Sequence, residues 1–163
     1  MATLVQIDEC RSPADLAQCR GLFEEYQAGL GISLEFQGFG EELASLPGAY
    51  APPRGALLVA RHGAEPAGCV ALRPLDDGEA EIKRLYVRPT WRGKGLGERL
   101  VEAVSARAIA AGYRALRLDT LASMEPAMRL YERLGFVETP PYHAATRPGM
   151  RFFRKSLEGV PRS

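Results

Sequence analysis

The sequence predicts an α/β fold: a mixed, mostly antiparallel sheet of six or seven strands with one parallel pair, flanked by about four helices. Three observations predict it. Residues 55–87 hold three apolar runs in succession, GALLVARH (55–62), AGCVALRPL (67–75) and AEIKRLYV (80–87), divided by short Gly, Pro and Asp turns; this is the pattern of a β-meander. Leu96, Leu100, Val104 and Ala108 then recur every fourth residue, which is helical spacing. ALRLDT (115–120) follows that helix. Strand, turn, helix and strand in this order join two parallel strands through a right-handed crossover.

The remaining elements follow in chain order. TLVQI (3–7) reads as a first strand. In SPAD (12–15), Ser12 is the N-cap, Pro13 fills the first helical position and Asp15 completes a capping box. Leu16, Cys19, Phe23, Tyr26 and Leu30 give that helix one apolar stripe, and it stops near Gly29 or Gly31. Residues 31–54 form a long connection with a short helix around Glu41–Leu46. In AEIKRLYV, Ile82, Arg84 and Tyr86 alternate with Lys83, Leu85 and Val87, so neither face is purely apolar. The helix after the glycines stops near Gly112, and another runs from about Glu125 to Leu134, with Pro126 in its first turn. FVET (136–139) and MRFFRKSL (150–157) are the last strands, joined by PPYHAATRPG (140–149).

Composition bounds the function. The 163 residues are read as a single domain with apolar content enough for one core. Lys plus Arg is 21 and Asp plus Glu is 20; so balanced a charge gives no global pull toward nucleic acid or an anionic membrane. No apolar run approaches the roughly 20 residues of a membrane span, and the acidic N-terminus does not read as a signal peptide. Cys10, Cys19 and Cys69 are odd in number and lack a CxxC pair, so reduced thiols, no metal site and a cytoplasmic setting are expected. Cys69 and His62 read as core and surface respectively, and a homodimer is the expected assembly.

Residues 86–100, YVRPTWRGKGLGERL, concentrate the chemistry. Gly93, Gly95 and Gly97 sit where a strand passes into a helix, with Arg92 and Lys94 between and before them. A helix start leaves backbone N–H groups unpaired and attracts anions. The residues thus suit a cradle for phosphate oxygens, with a solvated basic glycine turn as the plain alternative. The spacing fails as a Walker loop and as a dinucleotide fingerprint, although Asp119 ends the next strand where a ribose-binding acid belongs.

Arg92, Gly95 and Gly97 do fill R-x-x-G-x-G, and AMRLYERLGF (127–136) follows in order. On these two motifs the chain resembles the GNAT superfamily of N-acetyltransferases over roughly residues 3–157. The resemblance implies a parallel pair that splays open for acetyl-CoA, the co-substrate. It implies that the pyrophosphate sits on Arg92, Gly93, Lys94, Gly95, Leu96 and Gly97, that the Leu85 N–H polarises the acetyl carbonyl and that Val87 pairs with the pantetheine amides. Trp91 would pack under the cofactor or anchor the turn. Glu81, eleven residues before Arg92, takes the place of a general base in one branch, with Glu79 and His143 as substitutes. Tyr131 takes the place of the tyrosine that protonates the CoA thiolate. Met124 stands where many relatives carry Asn, leaving Ser123 to replace its bond to the pantetheine arm. The implied reaction is direct acetyl transfer to a primary amine of a small molecule or peptide, with acceptor choice set by residues 31–54 and 140–149. A non-catalytic acyl-CoA-binding module and a dinucleotide binder are the alternatives.

Overall fold

The computed structural model describes residues 4–144 and 146–160. Its centre is one seven-stranded sheet, built from β1 (Gln6–Glu9), β2 (Ala56–His62), β3 (Glu65–Pro74), β4 (Glu79–Val87), β5 (Ala115–Leu121), β6 (Val137–Thr139) and β7 (Met150–Ser156), in the order β1-β2-β3-β4-β5-β7-β6. Only β4 and β5 run parallel. Helices α1 (Pro13–Leu30) and α2 (Phe39–Ala44) pack on one face, around Leu22, Phe23, Phe39, Leu57 and Val59. Helices α3 (Leu96–Ala110) and α4 (Glu125–Arg133) pack on the other, around Leu100, Val104, Leu116, Leu118 and Tyr131. Among the described residues no helix is long and apolar enough to cross a membrane.

Local signals set these elements. Ser12 and Asp15 exchange the two bonds of a capping box, and Gly31 closes α1 in the left-handed region at φ 72°. The short helix α2 begins two residues earlier than the sequence suggests, because Gly38 starts it. The first strand is shifted to Gln6–Glu9, where Ile7 and Asp8 pair with Ala60 and Val59; Thr3 of the expected run lies outside the described residues. Phe136 leaves the expected FVET strand and joins the core.

A β-bulge resolves the mixed pattern of β4. Cys69 faces Tyr86 while Ala71 faces Lys83, so two steps on β3 answer three on β4. Arg84 occupies the extra position at φ 59°. The bulge reverses the alternation. Lys83 before it and Arg84 within it both point to the α2 side, where each donates to Gln37 Oε1, while Leu85 and Val87 turn to the α3 side.

Two of the three thiols expected to be reduced meet in the core. Cys10 and Cys19 lie sulfur to sulfur, with Cα atoms 7.5 Å apart, wider than a relaxed disulfide spans. Both sit in the α1-side core, where the first turns of α1 fold back over the end of β1. An odd count does not stop two of three cysteines from meeting. Cys69 is free and buried, and burial pushes its thiol pKa up.

Glu79 opens β4 as a buried carboxylate. Arg117 Nε donates to it at 2.6 Å and Arg154 Nη2 at 3.1 Å, with Arg114 at 3.4 Å. Burial opposes its charge, but the Arg117 and Arg154 bonds outweigh that and hold its pKa below 4.5. A carboxylate with a depressed folded pKa stabilises above its unfolded pKa and loses that contribution as pH falls through the folded value. Glu79→Leu is expected to lower the unfolding free energy by about 2 kcal/mol, below the usual cost of breaking a buried pair because the arginines are partly solvated. Urea melts at pH 7 and pH 3 check this: the deficit should be smaller at pH 3, below the unfolded pKa, where wild type has begun to lose the contribution.

Candidate active site

The parallel pair opens within three residues. Glu79, Ala80 and Glu81 register with Ala115, Leu116 and Arg117, and pairing stops there. Strand β5 continues against β7 as far as Leu121, so the edge of β4 from Ile82 to Val87 faces open space. That space is a cleft of about 750 Å³. Its floor is Leu85, Tyr86 and Val87; the glycine loop with Leu96 and Gly97 closes one end, and Ser123, Met124, Ala127 and Leu130 line the α4 side.

The start of α3 is bare. Gly95 is the N-cap at φ 79°, and no side chain caps the helix. Gly93, at φ 75°, also requires the left-handed region. Gly97 is different: a Cβ there would lie 3.3 Å from Leu130 Cδ2 and 3.9 Å from Val87 Cγ2. Two of the three glycines therefore shape the loop, and the third lets α3 and α4 approach over the cleft. Arg92 lines the cleft, but its Nε donates to the Val87 carbonyl at 2.9 Å. Lys94 lies over the Trp91 ring at 5.3 Å, and Trp91 packs against His62. Trp91 thus both lines the cleft and anchors the turn.

The proposed catalytic residues fall at different depths. Tyr131 is 6% exposed and lines a small cavity of about 20 Å³ together with Leu85, Met124, Lys83, Asp119 and Thr120. Tyr26, Leu85 and Met124 line both that cavity and the large cleft. Burial, with lesser contributions from Tyr26 and Asp119, pushes the Tyr131 phenol pKa up; it stays protonated. Among the described residues, the Met124 side chain makes no polar contact beyond a 3.6 Å approach from Thr120 Oγ1 to its sulfur.

Glu81 is fully buried. Arg73 Nε donates to Oε1 at 2.7 Å, and the Tyr142 hydroxyl donates to Oε2. His143, beside it, puts Nε2 2.8 Å from Asp119 Oδ2. Ligand atoms of Glu81, Asp119 and His143 converge within 4.8 Å. Arg73, Tyr142 and Lys83 already supply positive charge or protons to this cluster, which makes it a hydrogen-bonded network. Glu79, the substitute base, is committed to its arginines at the closed end of β4.

Several cleft residues carried no sequence signal. Tyr26, Gly29 and Leu30 arrive from α1, and Arg133 reaches from α4 to pair with Glu98 across the mouth at 3.3 Å. Tyr26 and Leu30 read only as part of the α1 stripe and Gly29 only as a helix stop, because the fold alone brings them to the cleft. Lys83 did leave a trace, as one of four charged residues in β4 beside Glu79, Glu81 and Arg84.

Comparison with known proteins agrees with this geometry. The sequence model of the Acetyltransferase (GNAT) family matches residues 20–136. A Schizosaccharomyces pombe protein named as an uncharacterized N-acetyltransferase is 40% identical over 156 residues, covering 94% of this chain and 95% of that protein. Among solved structures, an acetyltransferase from Streptococcus agalactiae superposes with a TM-score of 0.79 at 25% identity, covering 94% of this chain and 98% of the other. The Salmonella typhimurium protein yncA, solved with its cofactor acetyl-CoA, shares the fold at a TM-score of 0.66 and 19% identity, with 98% of each chain covered. With the family matched across most of its length and the splayed strands and bare helix start in place, the chain belongs to the GNAT family and is an acetyl-CoA-dependent N-acetyltransferase.

Proposed function

We propose that the chain transfers the acetyl group of acetyl-CoA directly to a primary amine of a small molecule or peptide. One observation carries the reading: the unpaired edge of β4 and the uncapped start of α3 border the same 750 Å³ cleft. An anionic diphosphate at the helix start and a pantetheine arm along the strand edge match the two kinds of backbone group left free there.

In this reading the N–H groups of Gly95, Leu96 and Gly97 hold the diphosphate, aided by Arg92, Gly93 and Lys94. Val87 and Ser123 bond the pantetheine arm, and Arg92 leaves the Val87 carbonyl when it does so. The Leu85 N–H donates to the acetyl oxygen and stabilises the negative charge that develops on it. The ammonium loses one proton to the network around Glu81, Asp119 and His143, and the neutral nitrogen attacks the carbonyl carbon. The C–N bond forms, the C–S bond breaks, and Tyr131 protonates the departing sulfur. The second nitrogen proton leaves as the adduct collapses and restores Tyr131, so one proton is released in each turnover. Glu81 acts at one remove in this scheme, since both its oxygens are engaged.

Acetyl-CoA at millimolar concentration is expected to raise Tm by several degrees through linkage, and an amine panel should then release free CoA thiol. Stabilisation by NAD in place of acetyl-CoA would overturn the cofactor assignment. Stabilisation by acetyl-CoA with no thiol release from any amine would leave only a binding module.

A further inference from the structure

Tyr26, in the second half of α1, has no part in the reaction above, yet it borders every space around the open strand pair. It lines the large cleft, the small cavity with Leu85 and Tyr131, and a fissure of about 20 Å³ beside Gln37, Asp119 and Met150. Among the described residues, no other lines all three. Its hydroxyl is uncommitted. The Tyr86 hydroxyl is bonded to Glu25 and the Tyr142 hydroxyl to Glu81. Among the described residues the Tyr26 hydroxyl has no such partner, and it is not one of the sealed unpaired atoms, which are His62 Nε2 and His143 Nδ1. It therefore opens onto space.

Tyr26 and Tyr131 reach this place from opposite faces of the sheet. Tyr26 packs against the α1-side core and stands edge to face on Tyr86, with ring centres 6.3 Å apart. Tyr131 belongs to the α3-side core. Both line the cavity that lies between β4 and β5 at Leu85. After burial itself, Tyr26 is the largest influence raising the Tyr131 pKa, as expected of two phenols on one space. Burial pushes the Tyr26 pKa up to about 12, so this phenol also stays protonated. In the reading above, Tyr131 serves the sulfur from the α4 side. The side of the thioester that α4 leaves free is the α1 side, where Tyr26 stands.

We propose that Tyr26 is a further catalytic residue: its hydroxyl holds the attacking nitrogen of the acceptor over the acetyl carbon, on the α1 side of the sheet. The neutral amine donates one N–H to the Tyr26 oxygen, which turns the nitrogen lone pair toward the carbonyl carbon. Tyr26 keeps its own proton throughout, so the proton balance given above is unchanged. The cavity of about 20 Å³ has room for roughly one water, hence for the reacting nitrogen and not for the body of the acceptor. That body lies in the cleft beside Tyr26, against Gly29 and Leu30. This rests on the amine-acetylation reading and adds to it the face of attack.

Tyr26→Phe keeps the ring against Tyr86 and removes only the oxygen. With the most active amine of the panel, the variant is expected to lose about 30- to 100-fold in kcat/KM, in line with the cost of misaligning a reactant. Acetyl-CoA Kd should stay within twofold of wild type and Tm within a degree or two. The same loss, within threefold, is expected when Tyr26→Phe is added to Tyr131→Phe, because the two phenols serve different atoms. An amine rate within threefold of wild type overturns the proposal. So does a loss that comes with weakened acetyl-CoA binding or a lowered Tm, since Tyr26 would then only pack the site. Disappearance of the effect in the Tyr131→Phe background also overturns it, since Tyr26 would then act by placing Tyr131. Failure to bind acetyl-CoA, or thiol release with no amine, would instead sink the reading beneath it and this proposal with it.

Discussion

Gly97→Glu is expected to weaken acetyl-CoA binding about 10³-fold, roughly 4 kcal/mol, with the fold retained. Gly97 lies in the first turn of α3 and is not among the residues at positive φ; a side chain is therefore conformationally allowed. Its Cβ would meet Leu130 Cδ2 at 3.3 Å, a contact that a few tenths of an ångström of side-chain movement relieves. Glutamate in a first helical turn suits the dipole, so Tm should change little. What it does change is the site: a carboxylate would stand at N–H groups that would otherwise face a diphosphate, and two anions would compete for one cradle. Titration calorimetry with acetyl-CoA, beside a thermal melt, reads both quantities. Gly95→Ala is the useful contrast, since φ 79° penalises any Cβ by about 1–2 kcal/mol, and its defect should show in the melt. Binding within tenfold of wild type in Gly97→Glu would place the diphosphate elsewhere.

These contrasts show how the glycine loop was legible and where it was not. Three side-chain-free residues at a strand-to-helix junction marked the place, because backbone requirements are local and leave residues such as glycine behind. Their separate reasons were not legible: Gly93 and Gly95 serve torsion angles, while Gly97 serves a contact with Leu130, a residue more than thirty positions later. The same division holds in β4. Alternation along AEIKRLYV could not be assigned to faces, since one bulge at Arg84 inverts it midway. A bulge depends on the partner strand β3, and a linear pattern does not carry that information. The capping box of α1 was readable because all of its atoms lie within four residues. The meeting of Cys10 and Cys19 was not, because it depends on how α1 turns back over β1.

The acceptor side obeys the same physics. Asp119 attracted notice as the acid near the end of β5, under a dinucleotide reading that the mostly antiparallel sheet and its splayed pair do not fit. Its partners lie far off in sequence: Lys83 on β4 and His143 in the loop after β6. Buried charge costs stability unless close partners repay it, and those partners are set by the fold.

Tyr131→Phe is expected to lower kcat about 10³-fold, near 4 kcal/mol of barrier, with the acetyl-CoA Kd within twofold of wild type. The hydroxyl lines the cavity beside Leu85, and burial keeps it protonated. A phenol there can donate to sulfur as the C–S bond breaks; general acids of this kind contribute about 10² to 10⁴-fold. The cavity of about 20 Å³ has room for roughly one water, so solvent is a poor substitute once acetyl and amine are in place. Because the phenol pKa is raised above 10.0, wild-type kcat should show no alkaline fall from this group up to pH 10. Phenylalanine keeps the ring contacts with Phe136 and Phe153, so a change in Tm beyond a degree or two is not expected. A thiolate can also leave unassisted, since a free thiol has a pKa of about 8.5, and that sets the decisive outcome. If Tyr131→Phe keeps kcat within threefold of wild type, sulfur departs without an acid from the protein. The rate would then come from positioning along β4 and the Leu85 amide alone.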